Sequence, residues 1–458
     1  MRWLSLLVLV SLTAGADDRR GRFERFCGRS AQGRSSRGFL CDDYAFFEFA
    51  PASGAGLTSA CSTTPPTGAK GEALSFARTG NATCTRTATG GLATTGIANG
   101  DLVVMSANQP RVEYDSAGTL GLLVESARTN SLIRSEALDN AAWTSSTGAG
   151  AVTVTADYAA APDGTLTADR LQVAACPTAG LYSARLQSRA AAISTDVGSV
   201  YLKGTSGSGS VGIMLGGAAT YWAATCTFNA STWTRCSTPA GAIPAASEFW
   251  IGCLNNSVSS PNPGNTGAAD VLVWGAQDEV GAYATSYIPT TSAAVTRNVE
   301  SADFIVSVSP TASTGLSTAA TVTTVSTATW VSGGGWLAPV LTSGSAGTPL
   351  NGALYWWTYV NTGPSAAQDS AGVVSAGLSG YFPGFATLNA TSNRVSASHS
   401  GSAWTLCQNG SCATSGSSTL GTPAFTRIML GNPTNAAANQ NDKIVSRICI
   451  DPSPTRCR

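Results

Sequence analysis

Hydrophobic positions along this chain come in short runs. DRLQV, SVYLKGT, SVGIMLGG, YWAATCTF and DVLVWGAQ each alternate or stay apolar for about 4 to 8 residues between turn-forming residues, the pattern of half-buried or fully buried strands. Upstream, ALSFARTG, ATCTRTAT and DLVVMSA repeat the pattern, broken by Gly-Gly and by Gln109-Pro110. Towards the C-terminus FIVSVSPT, GALYWWTYV, NRVSASHS, AWTLCQN, TRIMLGN and KIVSRICI continue it. No segment holds a convincing helical period. The expectation is an all-β chain of antiparallel sheets packed as sandwiches.

Composition strengthens that expectation. Charged residues make up 11% of the 458, against roughly 25% in an average soluble protein, and Gly, Ser, Thr and Ala stand in their place. Such a mixture disfavours long surface helices, which need Glu, Lys, Gln and Leu. The length exceeds one ordinary core. The blocks divide into a small N-terminal β segment over 45–125, a central module over 126–298 and a third block over 299–458. The 26 basic and 26 acidic groups cancel, which leaves no global field to steer nucleic acid.

The N-terminus adds a compartment. In MRWLSLLVLVSLTAGADD, Arg2 precedes an apolar core from Trp3 to Leu12 and a small-residue site at Ala14-Gly15-Ala16, so residues 1–16 read as a signal peptide. Residues 17–44 read as an Arg-rich linker, with seven arginines from Arg19 to Arg37 and no hydrophobic period. No later run is long and apolar enough to span a bilayer as a helix. Twelve cysteines with a single histidine point to disulfides rather than zinc. In WTLCQNGSCAT, the Asn409-Gly410 pair predicts a type I′ turn, which sets Cys407 opposite Cys412 within bridging range. Cys226 with Cys236, flanking FNASTWTR, and Cys449 with Cys457 are further expected bridges. Cys27–Cys41 and Cys61–Cys84 follow only from sequential pairing, which leaves Cys176 for Cys253.

One stretch is out of character: VESARTNSLIRSEALDNAAW, residues 124 to 143, carries three acids and two arginines and ends on Trp143. It belongs to a longer pattern. GTLGLLVESARTNSLIRSEALDNAAW, YAAAPDGTLTADRLQV and WGAQDEVGAYATSYIPTTSAAVTRNVESADF together resemble a module of bacteriophage tail and head-fibre proteins, and ALSFARTG to VEYDS resembles the segment that precedes it. The resemblance runs from about residue 73 to 303. It implies a jelly roll like those of carbohydrate-binding modules, followed by a concanavalin- or laminin-G-like lectin sandwich. It also implies a cell-surface glycan as the partner.

Candidate chemistry is sparse. Glu136, Asp139, Gln277 and Glu279, with Asn130, lie where the first and last strands of such a module would meet, and their oxygens could converge on a structural calcium. The alternative is that Arg128 and Arg134 pair with these carboxylates. Ala161-Pro162-Asp163-Gly164-Thr165 reads as a tight turn. For sugar stacking, Tyr355, Trp356, Trp357 and Tyr359 in ALYWWTYV are the leading candidates, because alternate strand residues face opposite sides; Tyr381 in GYFPGF is a second. GSGSVG at 207–212 matches a dinucleotide pattern but lies between strand-like runs without a helix. His399 has no G-x-S-x-G partner serine. Three function classes remain: a non-enzymatic glycan-binding surface protein, secreted or virion-displayed; a structural fibre or coat subunit, as a homo-oligomer; and a glycoside-active enzyme.

Overall fold

The computed structural model describes residues 60–63, 74–87, 95–114, 120–189, 194–217, 220–243, 247–255, 267–281 and 283–305, with residues 45–48 and the strands between Ala319 and Asp451 as backbone alone. Among the described residues every regular element is a strand and every pairing is antiparallel.

Two sheets form the centre. One runs Thr220–Asn229, Ser208–Gly217, Glu248–Leu254, Tyr182–Ser188, Thr144–Ser146. The other runs Val152–Ala159, Ala168–Val173, Ala269–Val280, Ser194–Gly204, Trp233–Ser237, Thr95–Ile97, with Gly241–Ile243 added beside Ser194–Gly204. Alternate residues of facing strands make the shared core: Leu171, Val200 and Val273 from the second sheet meet Val211, Ile213 and Ile251 from the first. Two cystines staple the sheets across it. Cys226–Cys236 links Thr220–Asn229 to Trp233–Ser237, and Cys176–Cys253 ties the loop after Ala168–Val173 to Glu248–Leu254. The sequence spans SVYLKGT to DVLVWGAQ fall in these strands as expected, and GSGSVG forms a turn entering Ser208–Gly217, with Gly207 at φ +67°.

The N-terminal segment closes the outer side of the second sheet. Ile97 and Leu102 pack on Tyr201, Trp233, Leu272, Trp274 and Tyr287, all buried. The APDGT turn serves as its dock: Asp163 Oδ1 accepts from Thr165 N at 3.0 Å, and the Pro162 carbonyl accepts from the backbone of Gly100 and Leu102 at 2.8 and 2.9 Å. A third cystine, Cys61–Cys84, holds the segment itself.

Beneath the segment lies a fully buried ion network. Arg78 reaches Glu300 at 2.8 Å; Arg111 reaches Glu300 at 2.7 Å and Glu125 at 2.6 Å; Arg297 reaches Glu125 at 3.0 Å, all with side chains at 0% exposure. Each guanidinium also donates to backbone, Arg78 to Ser106 O at 2.6 Å, Arg111 to Thr83 O at 2.9 Å and Arg297 to Ser126 O at 3.0 Å, while Arg297 Nε is buried without a hydrogen-bond partner. Burial drives the Glu125 carboxyl up, but Arg297, Arg111 and Ser286 together hold it well below the ordinary carboxylate range. Glu113, beside them, accepts from Thr85 N at 3.0 Å, and burial pushes it up to about 8 against the pull of Arg111.

Strands from the N-terminal segment and the third block share two further sheets. Leu120–Val124 pairs with Lys443–Asp451, and Leu74–Ala77 pairs with Ser301–Ile305, which pairs in turn with Arg427–Leu430. The backbone register sets Cys407 opposite Cys412 across the Asn409-Gly410 turn. Their side chains lie outside the described residues, as do the Cys449–Cys457 and Cys27–Cys41 pairs. The expected Cys226–Cys236 bridge is present, and so are Cys61–Cys84 and Cys176–Cys253.

Removing one arm of the network should be costly: Arg111→Met leaves Glu125 and Glu300 buried with a charge short, and urea unfolding should register a loss of about 3–5 kcal/mol. Glu113 gives a pH signature. With its folded value at about 8 and its unfolded value near 4.5, its contribution is present below the unfolded value and is lost as pH rises through the folded one. Glu113→Gln should therefore gain stability relative to the parent as urea midpoints are compared from about pH 5 to pH 8. An unchanged difference would refute the assignment.

Candidate functional site

The two cystines decide which way the first sheet's residues face. Cys226 and Cys253 point into the core, so their alternates on the same strands, Tyr221 and Ala223, Trp250 and Leu254, point to the far side. Register aligns Leu186, Trp250, Met214 and Ala223 across four strands. Ala184, Met214, Ala223 and Leu254 are buried there beneath three half-buried rings, Tyr182, Tyr221 and Trp250. Tyr182 and Trp250 sit with centroids 5.3 Å apart and planes tilted by 58°. Burial raises the Tyr182 hydroxyl above its ordinary value, and the nearby Tyr221 phenol raises it further, so Tyr182 stays a neutral donor and acceptor. A polar edge borders the rings. Ser188 donates to Glu248 at 3.3 Å, and Thr144 and Thr225 are exposed on the same side.

The opposite outer face offers a direct contrast. Its aromatic residues are sealed: Trp233 donates to Asn99 and Trp274 to Thr167, each at 2.9 Å, under the N-terminal segment. The same sandwich thus carries aromatic side chains on both outer faces, but covers the rings of one and leaves those of the other partly exposed. The open face is the candidate site.

The residues singled out from sequence are distributed elsewhere. Asn130 donates its amide to the carbonyls of Ala276 and Ile288 at 3.1 and 2.9 Å, which joins the start of the module to its end. Gln277 and Glu279 do come together: Gln277 Nε2 donates to Glu279 Oε1 at 2.6 Å, while Arg128 Nε stands 3.8 Å from Glu279 Oε2. Glu136 accepts from the Tyr287 hydroxyl at 2.9 Å, and burial raises its carboxyl. Asp139 is exposed. Among the described residues no group of three or more His, Cys, Asp or Glu is arranged to hold a metal.

Tyr355, Trp356, Trp357 and Tyr359 lie on the strand Tyr355–Asn361, and Tyr381 lies on Leu378–Ala386. Their side chains fall outside the described residues, as does that of His399. The backbone register puts Trp357, Gly372 and Tyr381 at one position across three strands.

Sequence reading passed over Tyr182, Tyr221 and Trp250 as surface residues. The signal was there in EFWIGCL and YWAATCTF: once Cys253 and Cys226 are bridged to the other sheet, the parity of Trp250 and Tyr221 follows.

No family model and no curated protein matches the chain. Solved structures are similar at a low level. The tandem CBM22 domains of Xyn10C from Paenibacillus barcinonensis are 11% identical, with 72% of this chain and 97% of that one covered at a TM-score of 0.23. A Trypanosoma rangeli sialidase is 10% identical, covering 78% and 67%, at a TM-score of 0.26. Mouse laminin α1 domains LG4–5 are 10% identical, covering 68% and 88%, at a TM-score of 0.20. Likeness at this level assigns neither ligand nor activity.

Truncation separates the two faces by stability. Trp274→Ala should cost about 3–5 kcal/mol in chemical denaturation, and Trp250→Ala clearly less, because its ring is already partly in water. Equal losses would mean that Trp250 is a core residue.

Proposed function

We propose that the protein is a non-enzymatic glycan-binding protein, exported and displayed at a cell or particle surface. The half-exposed Tyr182, Trp250 and Tyr221 face carries this reading. Pyranose rings stack on such flat apolar faces while hydroxyls at the edge supply orientation. Glu248 is the one acid among the described strand residues of that face, whereas glycoside hydrolysis ordinarily uses a pair of carboxylates flanking the bond. Among the described strand residues of this face, a lone carboxylate and no cation favour a neutral glycan over a sialylated or uronic one.

Export is supported by the N-terminal leader pattern and by three cystines among the described residues. No helix among these residues is long and apolar enough to cross a membrane. The resemblance of residues 73–303 to the phage fibre module supports attachment as the role. The strand Tyr355–Asn361 is proposed as a second sugar-binding surface in the third block, with Tyr381 beside it.

A glycan array read with the secreted protein should show binding to neutral glycans without release of product. Trp250→Ala should weaken the best hit about tenfold or more, as the loss of one stacking ring worth about 1.4 kcal/mol requires. Trp357→Ala tests the second surface in the same assay. Turnover of a bound glycan would replace this reading with the enzymatic one. A defined oligomer by light scattering, with no glycan bound, would replace it with a structural fibre or coat subunit.

A further inference from the structure

Glu279 holds two reactive groups at once. Its Oε2 accepts the hydroxyl of Thr285 at 2.6 Å, and its Oε1 accepts both the Gln277 amide and the Thr285 backbone N–H, each at 2.6 Å. The carboxamide oxygen of Gln277 accepts from Ile288 N at 2.7 Å. Gln277 and Thr285 are 0% exposed and Glu279 1%. A hydroxyl on a carboxylate base, a carbonyl carbon polarised by a backbone N–H and the exclusion of water are the components of acyl transfer.

We propose that Thr285 and Gln277 join in an intramolecular ester. Thr285 Oγ1 adds to Cδ of Gln277 as Glu279 Oε2 takes the hydroxyl proton. The Ile288 N–H holds the oxyanion that forms on Gln277 Oε1. Collapse breaks the Cδ–Nε2 bond; Glu279 returns the proton to Nε2, which departs as ammonia. The atoms balance with no oxidant and no external reactant: hydroxyl plus carboxamide gives ester plus ammonia. Arg128 stands beside this carboxylate, its Nε 3.8 Å from Glu279 Oε2. The bond would lock the segment that delivers Ser286 to the ion network and Tyr287 to the sealed aromatic face.

Peptide mass mapping of the reduced, alkylated wild-type protein decides the matter. Cleavage after Glu248, Glu279 and Glu300 yields fragments 249–279 and 280–300. The expected result is that they stay joined, lighter than their sum by one ammonia, and that mild alkali separates them and leaves Glu at position 277. Separate fragments at the masses the sequence dictates overturn the proposal without any variant. Thr285→Ser should keep the link, whereas Thr285→Val and Glu279→Gln should abolish it; a link that survives either of the last two also overturns it.

Discussion

Five side chains, Arg78, Arg111, Glu125, Arg297 and Glu300, form the interaction on which the rest of the described structure depends. Arg78 and Arg111 come from the N-terminal segment, Glu125 from the entry to the central module, and Arg297 and Glu300 from its exit. Buried charges are costly unless they are paired and hydrogen-bonded. The network therefore forms only when all three stretches are in place, so the N-terminal segment is a component of the module and not a tail attached to it. Glu125 N also donates to Glu300 Oε2 at 2.9 Å, tying entry and exit directly.

The network accounts for the asymmetry of the sandwich. By anchoring the N-terminal segment, it lays Ile97 and Leu102 over Trp274 and Tyr287 and seals one outer face. No described strand lies over the other face, where buried Ala184, Met214 and Leu254 support Tyr182, Tyr221 and Trp250. A protein that needed only stability would have little reason to pave an outer face with rings; a protein that stacks flat ligands does.

Much of the fold was legible because strand signals are local. The runs around Leu171, Tyr201, Ile213 and Val273 alternate or stay apolar between turn residues, and they are strands. The Asn409-Gly410 pair dictates the register of its hairpin, with Cys407 opposite Cys412. The site was less legible, since it depends on which side of a sheet a ring occupies. That parity is set by cystine partners distant in sequence, as Cys176 is from Cys253, and period-two alternation cannot choose a face by itself. Gln277 and Glu279, expected among the oxygens of a calcium site, have Thr285, Ile288 and each other as hydrogen-bond partners, contacts that depend on how the chain returns after Gly281.

The low charge content acquires a meaning in this arrangement. Five arginines and seven acids among the described residues are buried, so the chain places a substantial share of its few charges in its interior. VESARTNSLIRSEALDNAAW illustrates this: Glu125 joins the ion network, Glu136 meets Tyr287, and Trp143 is buried with its indole N–H on the Arg134 carbonyl at 3.0 Å. A polar stretch that resembles a solvated surface is instead the joint between the N-terminal segment and the sandwich. The outer face of the first sheet is left to Ser, Thr and aromatic residues, with Glu248 its one charge among the described strand positions. A surface so poor in fixed charge cannot attract partners over long distances. The proposed glycan reading therefore rests on short-range stacking and hydrogen bonding, the mode a neutral polyhydroxylated ligand requires.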